Sequence, residues 1–188
     1  GMAFLDWPLS NGSVNPTGWL TESDKMAEHS HRLLGMKIGL LSIGLLLWTH
    51  LRESRDWVRT LARVLLWVVI LQGLLGGARV RFDQLNIMSD HNLIAQGFAV
   101  VHACGAMVVL GILVTLTLAS TRRWIEASEG LNVKQPIGVK RWGIIATVAI
   151  FLQILVGAIM RHADAGLALV KFPMSTATTW LPTYWNFD

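Results

Sequence analysis

Glu28-His29-Ser30-His31-Arg32 stands directly before an apolar run from Leu33 to Leu51. Five residues thus bring one acid, two imidazoles and a guanidinium to the mouth of a stretch long enough to cross a bilayer, which takes about 20 mostly apolar residues. Ionisable groups in such a place are costly and mark a site. Three further stretches of the same kind lie downstream. Helices are expected at about 22–51, 58–78, 90–119 and 141–160, with outer loops at about 1–21, 79–89 and 161–188. A backbone in lipid satisfies its own hydrogen bonds only as helices or as a closed barrel. The expected fold class is therefore an all-α integral membrane protein, with residues 1–188 forming one transmembrane four-helix-bundle unit.

Composition supports this reading. Of the 188 residues, 53% are hydrophobic and only 15% charged, against about 25% charged in a typical soluble domain. Mean hydropathy is +0.48. Nine tryptophans suit interfacial anchoring. The net charge is +4, but its distribution argues against nucleic acid as a partner. Nine of the sixteen basic residues fall in two segments: Arg52, Arg55, Arg59 and Arg63, then Arg122, Arg123, Lys134, Lys140 and Arg141. The positive-inside rule puts basic loops 52–63 and 122–141 on the cytoplasmic or matrix side. The single cysteine, Cys104, permits no intrachain disulfide and reads as a small buried side chain.

Turn signals fill the first loop: Trp7-Pro8, Asn11-Gly12, Asn15-Pro16 and Thr17-Gly18. Thr21-Glu22-Ser23-Asp24 reads as a capping sequence for the first helix, and Ser89-Asp90 as the cap of the third. Gln72 is a polar group within the second helix and is expected to bond to a neighbouring helix. There is also an internal repeat. Gly1-Met2-Ala3 through Trp7-Pro8 parallels Gly166-Leu167-Ala168 through Phe172-Pro173. Leu71-Gln72-x-Leu74-x-Gly76 parallels Leu152-Gln153-x-Leu155-x-Gly157. The repeat predicts a chain that begins and ends at equivalent points of a longer, duplicated protein.

Glu28 and His31 are three apart and share a helix face, while His29 points elsewhere. At 1.5 Å per residue, His31 lies about 15 Å along the first helix from Thr21, and His102 about 20 Å along the third from Ser89. Both helices enter from the same side, so the two imidazoles reach similar depths. Facing histidines on neighbouring helices suit the two axial positions of a haem iron. The anionic propionates of such a group would favour cations at the outer rim, where Arg32, Arg79, Arg81 and Arg161 stand. His50, His91 and His162 read as interfacial or rim residues. Zinc is the weaker alternative, because His29 and His31 diverge and no third ligand is evident. No phosphate-binding loop or nucleotide fingerprint is present.

Glu28-x-x-His31-Arg32-x-x-Gly35 resembles the signature that opens the second helix of the haem A synthase family. The loop before it, Gln72-Gly73-x-x-Gly76-Gly77, His102-x-Cys104 and Arg161-His162-x-x-Ala165-Gly166 resemble successive segments of the same family in the same order. The resemblance implies helices two to five of a pseudo-symmetric eight-helix protein. It implies oxidation of a haem O methyl to the formyl of haem A, for terminal oxidase biogenesis. It assigns His31 and His102 to the iron of the substrate haem and Glu28 to catalysis, while Arg32, from its charge and place alone, is the expected propionate contact. A haem b is expected in the half not covered by this chain. Haem O, membrane lipid, an electron donor, haem O synthase and a second copy of the protein are the partners it suggests, in a bacterial cytoplasmic or mitochondrial inner membrane. Many members carry a cysteine pair in the first outer loop; here Ser10 stands where one is expected. The alternatives are a b-type electron-transfer cytochrome and a haem-free assembly subunit.

Overall fold

The computed structural model describes residues 3–85, 93–130 and 137–163. Among these residues five helices form: α1 (Ser23–Arg52), α2 (Asp56–Leu85), α3 (Leu93–Ala119), α4 (Arg122–Gly130) and α5 (Ile137–His162). Four of them are long and apolar enough to cross a membrane. They pack in chain order, α1 on α2, α2 on α3 and α3 on α5, so that α1 and α5 are the two ends of the row. The short connection from α1 to α2 makes that pair antiparallel. The end of the bundle that carries the first loop is here called the outer end, and the opposite end the inner.

The apolar side chains mostly face outward. Leu41 and Trp67 are each 71% exposed, which in water would be an aggregation liability and in lipid is the natural state. The packed interior is small. Val58, Leu65, Leu116 and Ala119 form its core, flanked by Leu45, Leu61 and Leu113. Hydroxyls inside the helices bond to their own backbone. Ser42 donates to the Ile38 carbonyl at 2.7 Å and Thr115 to that of Gly111 at 2.8 Å, so neither hydroxyl is left as an orphan polar group in lipid.

Three boundaries differ from the expectation. First, Glu22 is the N-cap of α1, in extended backbone and without a side-chain cap bond. The Thr21 hydroxyl donates instead to the Gly18 carbonyl at 2.8 Å, finishing the preceding turn. Asp24 in the first turn still complements the helix dipole. Second, α2 runs on to Leu85, so Arg79 and Arg81 are helical. Nothing between Ala78 and Leu85 breaks a helix, and Gly76-Gly77 is tolerated because small residues let membrane helices approach closely. Third, the basic segment after α3 contains α4. The Thr121 hydroxyl accepts from the Trp124 amide at 3.3 Å and starts it. The expected Ser89-Asp90 cap, and the second copy of the repeat at 166–173, lie outside the described residues.

Arg55 clamps the inner end. Its guanidinium donates to both carboxylate oxygens of Glu53, at 2.9 and 2.7 Å, and to the carbonyl of Ala119 at the end of α3, at 2.9 Å. One side chain thus ties the α1–α2 turn to α3. The bonds from Arg55 hold the Glu53 carboxyl down to about 2, against an ordinary 4.5. Because the folded value lies below the unfolded one, the stabilisation is complete above the ordinary value and is lost as pH falls through about 2. Thermal unfolding in detergent is expected to weaken over that acid window, and Glu53→Gln to flatten the dependence. An unchanged acid profile in Glu53→Gln would show that the clamp carries none of it.

Candidate functional site

The site begins with the first loop, which Arg32 draws down onto α1. Its guanidinium donates to the carbonyls of Asp6 at 2.5 Å, Phe4 at 3.2 Å and Leu9, and pairs with Glu28 at 2.5 Å. The other oxygen of Glu28 accepts from the amides of Ala3 at 2.6 Å and Phe4 at 3.4 Å. Glu28 and Arg32, one turn apart, therefore act as a latch for backbone about 25 residues away in sequence. Phe4 and Ser10 are fully enclosed as a result.

The tip of the loop is built by its own chemistry. Ser10 and Ser13 exchange two backbone bonds of 3.1 Å. Asn11 and Gly12 between them take φ of 51° and 69°, the left-handed pair that Asn-Gly favours in a tight hairpin turn. The Asp6 carboxylate accepts from both their amides, at 2.7 and 2.8 Å. Burial pushes the Asp6 carboxyl up, but those two amides and the Arg32 charge together hold it below the usual carboxylate range.

His29 is 3% exposed. Its Nδ1 bonds to the Ser10 hydroxyl at 3.0 Å, and its ring packs on Trp19 and Phe4 at centroid distances of 4.7 and 6.1 Å. It seats the loop from below.

On another face of α1, His31 meets His102 of α3. Their ring centroids are 6.0 Å apart and the planes cross at 81°. Gly76 makes room for the pair: a Cβ there would stand 3.4 Å from Cε1 of His102. The next residue, Gly77, accepts Trp7 of the loop, whose ring a Cβ would meet at 2.7 Å. Consecutive glycines on α2 thus receive the histidine and the loop. His102 is partly buried, and its Nδ1 has no hydrogen-bond partner among the described residues.

One turn further in, the Gln72 amide lies against Gly105 of α3, where a Cβ would overlap it at 1.9 Å. Its Oε1 is buried without a hydrogen-bond partner among the described residues, so the expected bond from this oxygen to a neighbouring helix is absent. Gln72, Cys104 and Gly105 line an apolar cavity of about 310 Å³ between α2, α3 and α5, with Phe151 and Leu155 opposite. Cys104 is a free, buried thiol. A second cavity, of about 580 Å³, lies between the loop and α2, bounded by Asp6, Trp7, Gly77 and Arg81.

The structure therefore brings His31 and His102 together and turns Glu28 and Arg32 toward the loop. The expected propionate contact at Arg32 meets a guanidinium already bonded to three carbonyls and a carboxylate. Sequence reasoning missed the His29–Ser10 pair and the Trp7–Gly77 contact. The one available signal is that Ser10 stands where a loop cysteine is expected. His50 is exposed at the inner end of α1, His162 ends α5, and His91 lies outside the described residues.

The family described as COX15-CtaA, cytochrome oxidase assembly protein, matches residues 19–188. The chain belongs to this family. A protein named heme A synthase from Bacillus licheniformis is 32% identical over 182 residues, which cover 94% of this chain and 54% of that protein. Another of that name, from Shouchella clausii, is 32% identical over 180 residues, covering 94% and 54%. A third, from Symbiobacterium thermophilum, is 28% identical over 183 residues, covering 95% and 55%. The chain spans about half the length of the curated relatives it matches. No solved structure matches it.

Proposed function

We propose that this chain is the substrate-binding half of a haem A synthase, in which His31 and His102 would hold the haem O iron. The observation that carries this reading is the 6.0 Å approach of the two imidazoles in a chain of this family. A metal ion held between two imidazoles would set their rings roughly 6 Å apart, as they stand here. Gly76 keeps one side of the His102 ring clear, and the unpartnered Nδ1 is free for an outer hydrogen bond or for ligation.

When bound, the haem iron supplies the redox chemistry by which a methyl group becomes a formyl group. The chain's own residues do the rest. His31 and His102 hold the substrate and set its orientation. The loop, latched by Arg32 and seated by His29, covers the outer end and keeps water out. Glu28 is a carboxylate pinned by Arg32 one turn before His31. There it holds or passes a proton, or stabilises positive charge that develops on the substrate. Arg32 acts through Glu28 and the loop as a positioning residue. The basic segments 52–63 and 122–141 lie on the cytoplasmic or matrix side, and the site opens to the opposite side.

The test is conversion of haem O by the full-length protein, read by pigment extraction. Glu28→Ala is expected to lose haem A formation while keeping its haem. Intact conversion in that variant removes Glu28 from catalysis. A wild-type protein that binds haem but yields no haem A is instead an electron carrier, and one with no Soret band is a haem-free assembly subunit.

A further inference from the structure

We propose that Arg79 holds an anionic group at the outer edge of the His31–His102 site, either a carboxylate of the bound tetrapyrrole or a phosphate of a lipid headgroup. The carboxylate form of this inference rests on the haem reading above. Three contacts mark the seam between α2 and α3, which run antiparallel: Gln72 against Gly105, Gly76 against His102, and Phe82 stacked on Phe98 at 5.0 Å. Arg79 is three residues from Gly76 and three from Phe82. That spacing keeps it on the same side of α2, one turn outward of His102. It is half-buried. Among the described residues it has no ion pair and no hydrogen bond.

The other outer cations are placed differently. Arg32 is spent on the loop. Arg81 is exposed and lines the second cavity beside Asp6, and Arg161 is exposed on α5. A guanidinium in a membrane helix seam with no partner among the described residues is costly and calls for an anion. The planar fork of arginine matches a carboxylate or a phosphate with two parallel bonds.

The experiment compares haem with its dimethyl ester, whose carboxylates are blocked, on the full-length protein in phosphatidylcholine nanodiscs with and without phosphatidylglycerol. Wild type is expected to bind the free acid about 10–100-fold more tightly than the ester. Arg79→Gln is expected to close that gap and keep the bis-imidazole spectrum, and Arg79→Lys to restore part of it, which separates the effect from misfolding. If acid and ester bind alike but Arg79→Gln abolishes a wild-type dependence of thermal stability on phosphatidylglycerol, the anion is a lipid phosphate. If Arg79→Gln changes neither quantity, the proposal is overturned. A wild type with no bis-imidazole spectrum for either porphyrin overturns the haem reading and the carboxylate form, and the lipid comparison then decides the role of Arg79.

Discussion

Replacing His102 by alanine is expected to abolish the bis-imidazole haem signal of this site. The ring of His102 stands 6.0 Å from that of His31. Alanine is the best helix former, so α3 itself should persist. The lost ring leaves a gap beside Gly76, which keeps that side of the imidazole clear. Losing an outer-shell partner of a metal ligand costs roughly 10–100-fold in affinity. Loss of an axial ligand should exceed that. The measurement is haem per protein, with the low-spin spectrum, on the full-length protein. His102→Gly with added imidazole should recover part of the signal, because the vacated space matches the missing ring. If His31→Ala and His102→Ala both leave haem content and spectrum unchanged, the two histidines are not ligands.

Arg32→Ala should unseat the first loop. One guanidinium serves three carbonyls and the Glu28 carboxylate. Both members of the ion pair are largely shielded, at 12% and 16% side-chain exposure. Removing one partner of a buried pair costs about 3–5 kcal/mol, because the other charge is left uncompensated. The other holds on the loop, the Ser10–His29 bond and the seating of Trp7 on Gly77, leave its Arg32-bonded carbonyls without a substitute partner. Hydrogen exchange should therefore quicken at the amides of Phe4, Asn11 and Gly12, while exchange in α2 and α3 stays slow. Arg32→Lys should give an intermediate result, since an ammonium cannot reach the same carbonyls as a planar fork. Because neither Arg32 nor Glu28 is a proposed iron ligand, haem should remain bound while conversion falls. Unchanged protection of the loop would show that Arg32 does not hold it.

The depth of the two histidines is legible in the sequence and their surroundings are not. Helix rise alone places His31 and His102 at similar levels, because each sits a known number of residues from the same side of the bilayer. Glu28 is readable as a neighbour of His31 on one helix face. That its carboxylate turns toward Ala3, Phe4 and Arg32 depends on how the first loop folds back. Asn11-Gly12 announces the turn, yet nothing local shows that Asp6 fills it or that Trp7 lands on Gly77. His29 reads as plain packing in the sequence, and its role as the seat of Ser10 needs the loop in place. Arg79 reads as a loop cation because the apolar stretch of the second helix ends at about Ala78. The helix continues past that point and carries Arg79 onto the α3 side.

By itself, then, the sequence determined the number and approximate length of the apolar helices, their division by basic segments, and the family. The helices and their division come from hydropathy and charge summed along the chain, and those sums are indifferent to which way each side chain points. The tertiary structure alone decided which polar groups meet: Arg32 with carbonyls 23 to 28 residues away, Gln72 with Gly105, and His102 with Gly76. The physical reason is azimuth. In a helix almost uniformly apolar around its circumference, periodicity marks no inward face. Rotation is then set by where small residues allow close approach and where polar groups find partners, and neither is written within a single helix.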